Sequence, residues 1–414
     1  MATTLAEAIQ TDRVSFEELH GRYDPVLQMV DVLIGVVPNC DQYLEVWQPG
    51  FRTYNLLVPN FLNLPGSLVG RSAAKDIVGL GMYTSSRAAS CNYCSAHTCS
   101  FALRRGSSAG AVTGEDRTPV EVAAVAVAEA LSYDQHTYSP ALGDALRDHV
   151  SAEDAEWIVM GVAMMGFLNK FMDAMGVELE PEAVGDVSAL ISPTGWSIGQ
   201  HNWGEGELAQ ASERSSTSVL PDKDSVKTIA RVLKNAPGAV RLDRKWMDGM
   251  PVSGLAARTR LTADYGYDEE LLSEMLHTKP RRALGAMLRH NLDPSQSKLG
   301  IGLKSLGALV YANHVGNSWL ADKTESFAGS RGVDPAVIAA VRSGIDLTDG
   351  AVELGDRTAA VVAGALAMSP SPSVVDATTI RTVTEHLTSE EIVELAVWIS
   401  VSQLQHRLSL WYDL

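Results

Sequence analysis

Ser151-Ala-Glu-Asp154-Ala-Glu-Trp157-Ile-Val-Met-Gly-Val-Ala-Met-Met-Gly-Phe167 and, later in the chain, Thr388-Ser-Glu-Glu391-Ile-Val-Glu-Leu-Ala396 decide the fold. Each begins with a hydroxyl residue three positions before a carboxylate, ahead of an apolar run. The hydroxyl can accept from a free backbone N–H of a first helical turn, and the acid suits the positive helix end. After the first cap, apolar residues recur on most faces (Trp157, Ile158, Val159, Val162, Met164, Met165, Phe167), which predicts a helix buried in a bundle or in a subunit contact. Strand-like alternation is scarce throughout, so the chain reads as all-α.

Working outward, the two stretches belong to longer parallels. His149-Val-Ser continues to Phe167-Leu-Asn-Lys-Phe, and His386-Leu-Thr continues to Leu404-Gln-His-Arg-Leu without a gap. Upstream, Asp116-Arg-Thr and Asp356-Arg-Thr each precede an Ala/Val-rich segment. The shared order predicts a diverged tandem repeat, with one helical domain over residues 1–177 and a second over 225–414. Between them, residues 178–224 are rich in Pro, Gly and Ser and lose hydrophobic periodicity, so they read as an inter-domain linker. Its Trp196, His201 and Trp203 predict that part of it packs onto a domain, in preference to the alternative, a cover over an active site.

Of the 414 residues, 46% are hydrophobic and 20% charged, an ordinary globular balance that leaves room for real cores. Against 33 Lys and Arg stand 50 Asp and Glu, a formal charge of −17 with no basic patch to offset it, which argues against a nucleic-acid partner. The N-terminus lacks the pattern of a signal peptide and no run reads as a bilayer span, so no membrane partner and a cytoplasmic location are expected. Three of the four cysteines (Cys91, Cys94 and Cys99) fall within nine residues, a spacing that suits catalysis or metal binding rather than a secreted disulfide framework.

The cluster is Ser86-Arg-Ala-Ala-Ser-Cys91-Asn-Tyr-Cys94-Ser-Ala-His97-Thr-Cys99. On a helix turning about 100° per residue, Cys91, Cys94 and His97 share an arc of about 120°, while Cys99 points roughly 140° from its middle, toward the packing side. Two thiols at a first helical turn meet free N–H groups and the positive dipole end, which favour thiolate. A thiolate can attack a peroxide oxygen, a second thiol one turn away can condense with the sulfenic acid, and His97 can carry the protons. Cysteines buried as small hydrophobes are the bland alternative. A zinc site from Cys91, Cys94, His97 and Cys99 would need four ligands on one unbroken helix to surround a tetrahedral ion, so no metal and no organic cofactor is expected.

Cys91-Asn-Tyr-Cys94-Ser-Ala-His97-Thr, with Lys75-Asp-Ile-Val-Gly-Leu and Ser86-Arg before it, resembles the signature of the alkylhydroperoxidase D / carboxymuconolactone decarboxylase superfamily; the resemblance extends over roughly Leu33 to Gly176. It implies two tandem helical domains of that kind and a thiol-dependent peroxidase, with Cys94 peroxidatic, Cys91 resolving and His97 relaying protons. The spacing from Cys94 to His97 is one residue shorter than in the founding peroxidases. The relay acid usual about three turns before the first cysteine has no match, Gly79 and Leu80 standing there, and the nearest acid, Asp76, takes that role. The resemblance further implies a peroxide substrate, a lipoyl or thioredoxin-like dithiol reductant and a homo-oligomer, with a trimer of two-repeat chains favoured over a dimer. In the second copy Leu309-Val-Tyr311-Ala-Asn-His314 falls where the motif belongs, with Ala308 and Tyr311 in the cysteine places, and predicts a silent repeat. A carboxymuconolactone decarboxylase-type lyase or hydrolase, or a non-enzymatic thiol redox sensor, are the rival readings.

Overall fold

A computed structural model describes residues 2–64, 75–203, 226–344 and 353–414, and every regular element among them is helical. The helices that place the site are α1 (Phe16–Ile34), α2 (Gln48–Phe61), α3 (Lys75–Ala88), α4 (Asn92–Arg105), α5 (Pro119–Ser132), α6 (Pro140–Arg147), α7 (Ala152–Met175) and α8 (Pro181–Ile191). After them come α9 (Val226–Trp246), α10 (Thr278–Leu292), α11 (Ile301–His314), α12 (Ser318–Ser330), α13 (Asp356–Met368), α14 (Ala377–His386) and α15 (Ser389–Tyr412).

The two capped stretches become α7 and α15. Ser151 accepts from the Asp154 N–H at 3.1 Å, and Thr388 forms a full capping box with Glu391. These two helices pack along each other at the centre of the molecule. Phe167, Met164, Val162, Trp398, Leu404 and Leu408 are all shut off from solvent there, each contributing roughly 1.5–3 kcal/mol by burial. Their apolar faces, which predicted a bundle core or a subunit contact, therefore meet within one chain. By length and composition α7 is also the one helix among the described residues apolar enough to cross a membrane, an exception to the sequence reading; its window is 94% buried inside the molecule.

Around α7, helix α3 packs on α4, α5 and α7, and α5 on α6; around α15, helix α11 packs on α12, α13 and α15, and α13 on α14. This parallel corrects one register. The helix that packs as α4 does is α12, not α11, so the counterpart of the N-cap Cys91 is the N-cap Asn317 rather than Ala308, and His314 closes the helix that resembles α3. Ala-rich α11 misleads because a lone histidine near its end imitates the motif; His314 instead pairs with Asp134, at 3.1 Å. The halves are not strung apart: α1 packs on α9 and α2 on α10.

The halves also exchange buried cations. Lys170 of α7 reaches across to the carbonyls of Ser369 and Pro370, at 2.7 and 2.6 Å. Arg407 of α15 reaches back, its Nη1 donating to Ser85 Oγ at 2.6 Å and to the Val162 carbonyl at 2.8 Å. Gly166 makes this crossing possible, since a Cβ there would lie 3.0 Å from Arg407 Cδ and 3.1 Å from its Nε.

Residues 178–203, the described part of the predicted linker, are not a spacer. Helix α8 packs on α4, and the chain beyond it returns over the start of α4. Trp196 Nε1 donates to the Asn92 carbonyl (2.9 Å), Trp203 Nε1 to the Gly176 carbonyl (2.6 Å), and Leu179 N–H to the His201 carbonyl (3.0 Å). The segment is a cover over the cysteine cluster. Residues 204–224 of the predicted linker lie outside the described residues.

Candidate functional site

A three-residue connection joins α3 to α4. Ser90 takes a left-handed φ of 57° and Cys91 N–H bonds back to the Ser86 carbonyl at 3.0 Å, which turns the chain so that Cys91 becomes the N-cap of α4. Its Sγ accepts from the Cys94 N–H at 3.4 Å. A sulfur thus occupies the place where an oxygen usually satisfies a free first-turn donor. The two thiols meet at the positive end of a helix, as the spacing predicts. Both are closed off from water, at 0% and 3% exposure, and burial pushes both upward in pKa. For Cys94 the hydrogen bond from the Cys91 thiol works against that rise.

One turn on, His97 Nε2 lies 2.7 Å from Glu180 Oε2. Glu180 is the N-cap of α8, and its other oxygen accepts from Tyr93 OH at 2.6 Å and from the Asn39 N–H. Burial alone would push this carboxyl up, but the charge His97 carries whenever it is protonated and the hydrogen bonds from His97, Asn39 and Tyr93 outweigh it and hold Glu180 below the usual carboxylate range. Asp76 does not take part: it sits in the first turn of α3, its carboxylate on the Ile77 N–H at 3.2 Å and its carbonyl accepting from Ser107 Oγ. The acid on His97 comes from the covering segment instead.

Cys94 and His97 line a small apolar pocket of about 70 Å³, together with Met82, Met164 and Met172. Cys40 lines the same pocket, a third thiol that its position in the sequence does not advertise. Cys99 is absent from the lining, is fully buried, and is pushed up to about 12 by burial, which suits the packing role read for it. Below the thiols stands Arg407, the cation lent by the second half. Its Nη2 is buried without a hydrogen-bond partner, and its charge acts on both thiols, drawing Cys94 downward in pKa.

On the other side of Cys91 stand Asp173 of α7 and His201 of the cover, their ligand-type atoms and the Cys91 sulfur all within 4.8 Å of one another. His201 Nδ1 lies 2.7 Å from the Val177 carbonyl and Nε2 3.2 Å from Asp173 Oδ1. Sequence spacing joins Cys91, Cys94 and His97 in one neighbourhood; Glu180, Arg407, Asp173 and His201 arrive from far along the chain. Glu180-Pro181 carries a helix-start signal, with Pro at the first helical position, but nothing local aims its carboxylate at His97.

Fold and site together define an all-helical protein with a buried dithiol, an adjoining imidazole–carboxylate couple and an apolar pocket leading to them. No family model, curated protein or solved structure matches the chain.

Proposed function

We propose that the chain is a thiol-dependent peroxidase of the alkylhydroperoxidase D type, built as two tandem helical domains of which the first carries the chemistry. The observation that supports it best is the placement of Cys94 beside Cys91 in the first turn of α4, with Cys94 and His97 lining one apolar pocket and Glu180 bonded to His97 behind it. Cys94 is the attacking sulfur because it lines the pocket and Cys91 does not. Since burial keeps the resting thiol protonated, His97 accepts its proton, and Glu180 stabilises the imidazolium that results. The thiolate sulfur attacks the terminal peroxide oxygen, the O–O bond breaks, and the alkoxide leaves as alcohol with the proton from His97. The Cys91 sulfur then displaces water from the Cys94 sulfenic acid and a disulfide forms. An external dithiol of the lipoyl or thioredoxin kind returns two electrons and two protons, chemistry that suits the cytoplasm.

The second half takes part without thiols of its own. Lys323 stands on α12 where His97 stands on α4, paired with Glu269 at 2.8 Å, and Arg407 is its contribution to the first site. The test is hydroperoxide consumption with a dithiol reductant. Cys94→Ser abolishes it, and Cys91→Ser lets a sulfenic acid accumulate on Cys94 and react with dimedone. Equal turnover by Cys91→Ser and wild type, with no adduct, refutes the two-thiol mechanism.

A further inference from the structure

The geometry points to a second use of Cys91: we infer that Cys91, Asp173 and His201 form a zinc-class metal site that fastens the covering segment 177–203 to helices α4 and α7. Three donors from three separate parts of the chain converge within 4.8 Å, and all three residues are buried, at 0%, 4% and 1% exposure. On the edges of a tetrahedral zinc, with bonds of about 2.0–2.3 Å, ligand atoms stand about 3.3–3.6 Å apart. The 3.2 Å between His201 Nε2 and Asp173 Oδ1 is close to that edge.

The imidazole's orientation argues for a common centre rather than a proton relay. The Val177 carbonyl 2.7 Å from Nδ1 requires a proton on that nitrogen, which leaves the lone pair on Nε2. In the neutral imidazole that lone pair faces a carboxylate oxygen, an acceptor facing an acceptor, which a cation shared by the two resolves; a second proton on the ring is the competing resolution, and titration with metal separates them. An Nδ1–H anchored on a carbonyl is the usual outer support of a metal-bound histidine. In a hydrolytic triad the carboxylate holds the nitrogen opposite the thiol. Here it is on Nε2 and the opposite nitrogen is taken by the backbone, so no series is possible.

The donor set of one sulfur, one nitrogen and one carboxylate oxygen suits zinc over magnesium or calcium, which prefer oxygen alone. Cys94, His97 and Cys99 fall outside the converging group, so this site differs from four ligands on one helix. Three protein ligands leave one exchangeable position. A metal on Cys91 and a Cys91–Cys94 disulfide exclude each other because both use one sulfur. The inference stands on ligand geometry and does not depend on peroxidase activity.

The test uses the reduced full-length protein and Co²⁺ as the probe, followed by competition with Zn²⁺. The expected result is about one Co²⁺ per chain with a sulfur-to-cobalt charge-transfer band in the near ultraviolet and four-coordinate visible bands. Cys91→Ser removes the charge-transfer band, Asp173→Asn and His201→Gln weaken binding at least about tenfold, and Cys94→Ser and Cys99→Ser retain the spectrum. Absence of the band in wild type overturns the inference whether or not the variants fold. Equal loss of the band in Cys94→Ser overturns the ligand assignment.

Discussion

Glu180→Gln removes one charge at the centre of the site while keeping its shape. The amide oxygen can still accept from Tyr93 OH and the Asn39 N–H, which the wild-type Oε1 serves now. What disappears is the anionic acceptor 2.7 Å from His97 Nε2. A hydrogen bond to a charged group contributes about 1.5–3 kcal/mol. If His97 takes the Cys94 proton before the peroxide is attacked, the imidazolium loses that much stabilisation, and the attack slows by about 10- to 150-fold. The assay is single-turnover loss of the Cys94 thiol with excess cumene hydroperoxide, monitored by quench and thiol titration, with circular dichroism to establish that the variant is folded. Glu180→Ala is the harsher comparison: it also leaves Tyr93 and Asn39 without their acceptor in a dry site, at about 3–5 kcal/mol of stability. A folded Glu180→Gln protein that reacts as fast as wild type refutes the role of the His97–Glu180 couple.

Arg407→Met keeps the bulk of the buried side chain and removes the cation that acts on both thiols; alkylation of Cys94 by iodoacetamide at neutral pH should slow about tenfold, the equivalent of one pKa unit, and an unchanged rate excludes Arg407 from the chemistry. Gly166→Val should have the same effect from a distance, because the added side chain meets Arg407 where it crosses α7. For pH, Glu180 has a folded pKa below its ordinary 4.5, so its contribution is complete above that value and is lost as the pH falls through the lower one; denaturation at acid pH checks it, and Glu180→Gln should flatten that limb. Asp41 runs the other way: burial pushes it up to about 8, so the folded protein loses stability as the pH rises from about 4 to 8, at most ~1.4 kcal/mol per unit. Asp41→Asn should therefore stabilise the chain by a margin that widens over that range in urea titrations, and a constant margin contradicts the assignment. Light scattering bears on assembly: the faces of α7 and α15 that suggested a ring of three chains cover each other within one chain, so a three-chain species at micromolar concentration would have to be joined through another surface, and a mass of one chain would refute the ring.

The sequence was most informative where physics is local. Ser151 and Thr388 announced the starts of α7 and α15 because a cap is decided within four residues, and the absence of alternation ruled out strands. The meeting of Cys91, Cys94 and His97 followed from helical periodicity alone. What remained hidden depends on chain reversal. Glu180 lies 83 residues beyond His97, in a stretch whose Pro, Gly and Ser content suggested a spacer although it folds back as a cover. Asp76 looked suitable because it is near in sequence, yet α3 carries it to the end away from the histidine, against Ser107. Arg407 sits in a helix that reads as apolar, and nothing in its neighbours indicates that Gly166, on another helix, opens the path for it. The register of the second half failed for a related reason: a histidine among apolar residues was matched to His97, whereas packing pairs Lys323 with that position.

The most direct test of the account is the fate of the four cysteines after one equivalent of cumene hydroperoxide is added to the reduced, chelator-treated protein. Intact mass and peptide mapping should show two thiols lost, two hydrogens missing, and a single Cys91–Cys94 cross-link, with Cys40 and Cys99 still free. Four titratable thiols after the peroxide has been offered, or oxidation spread over Cys40 and Cys99, would contradict it.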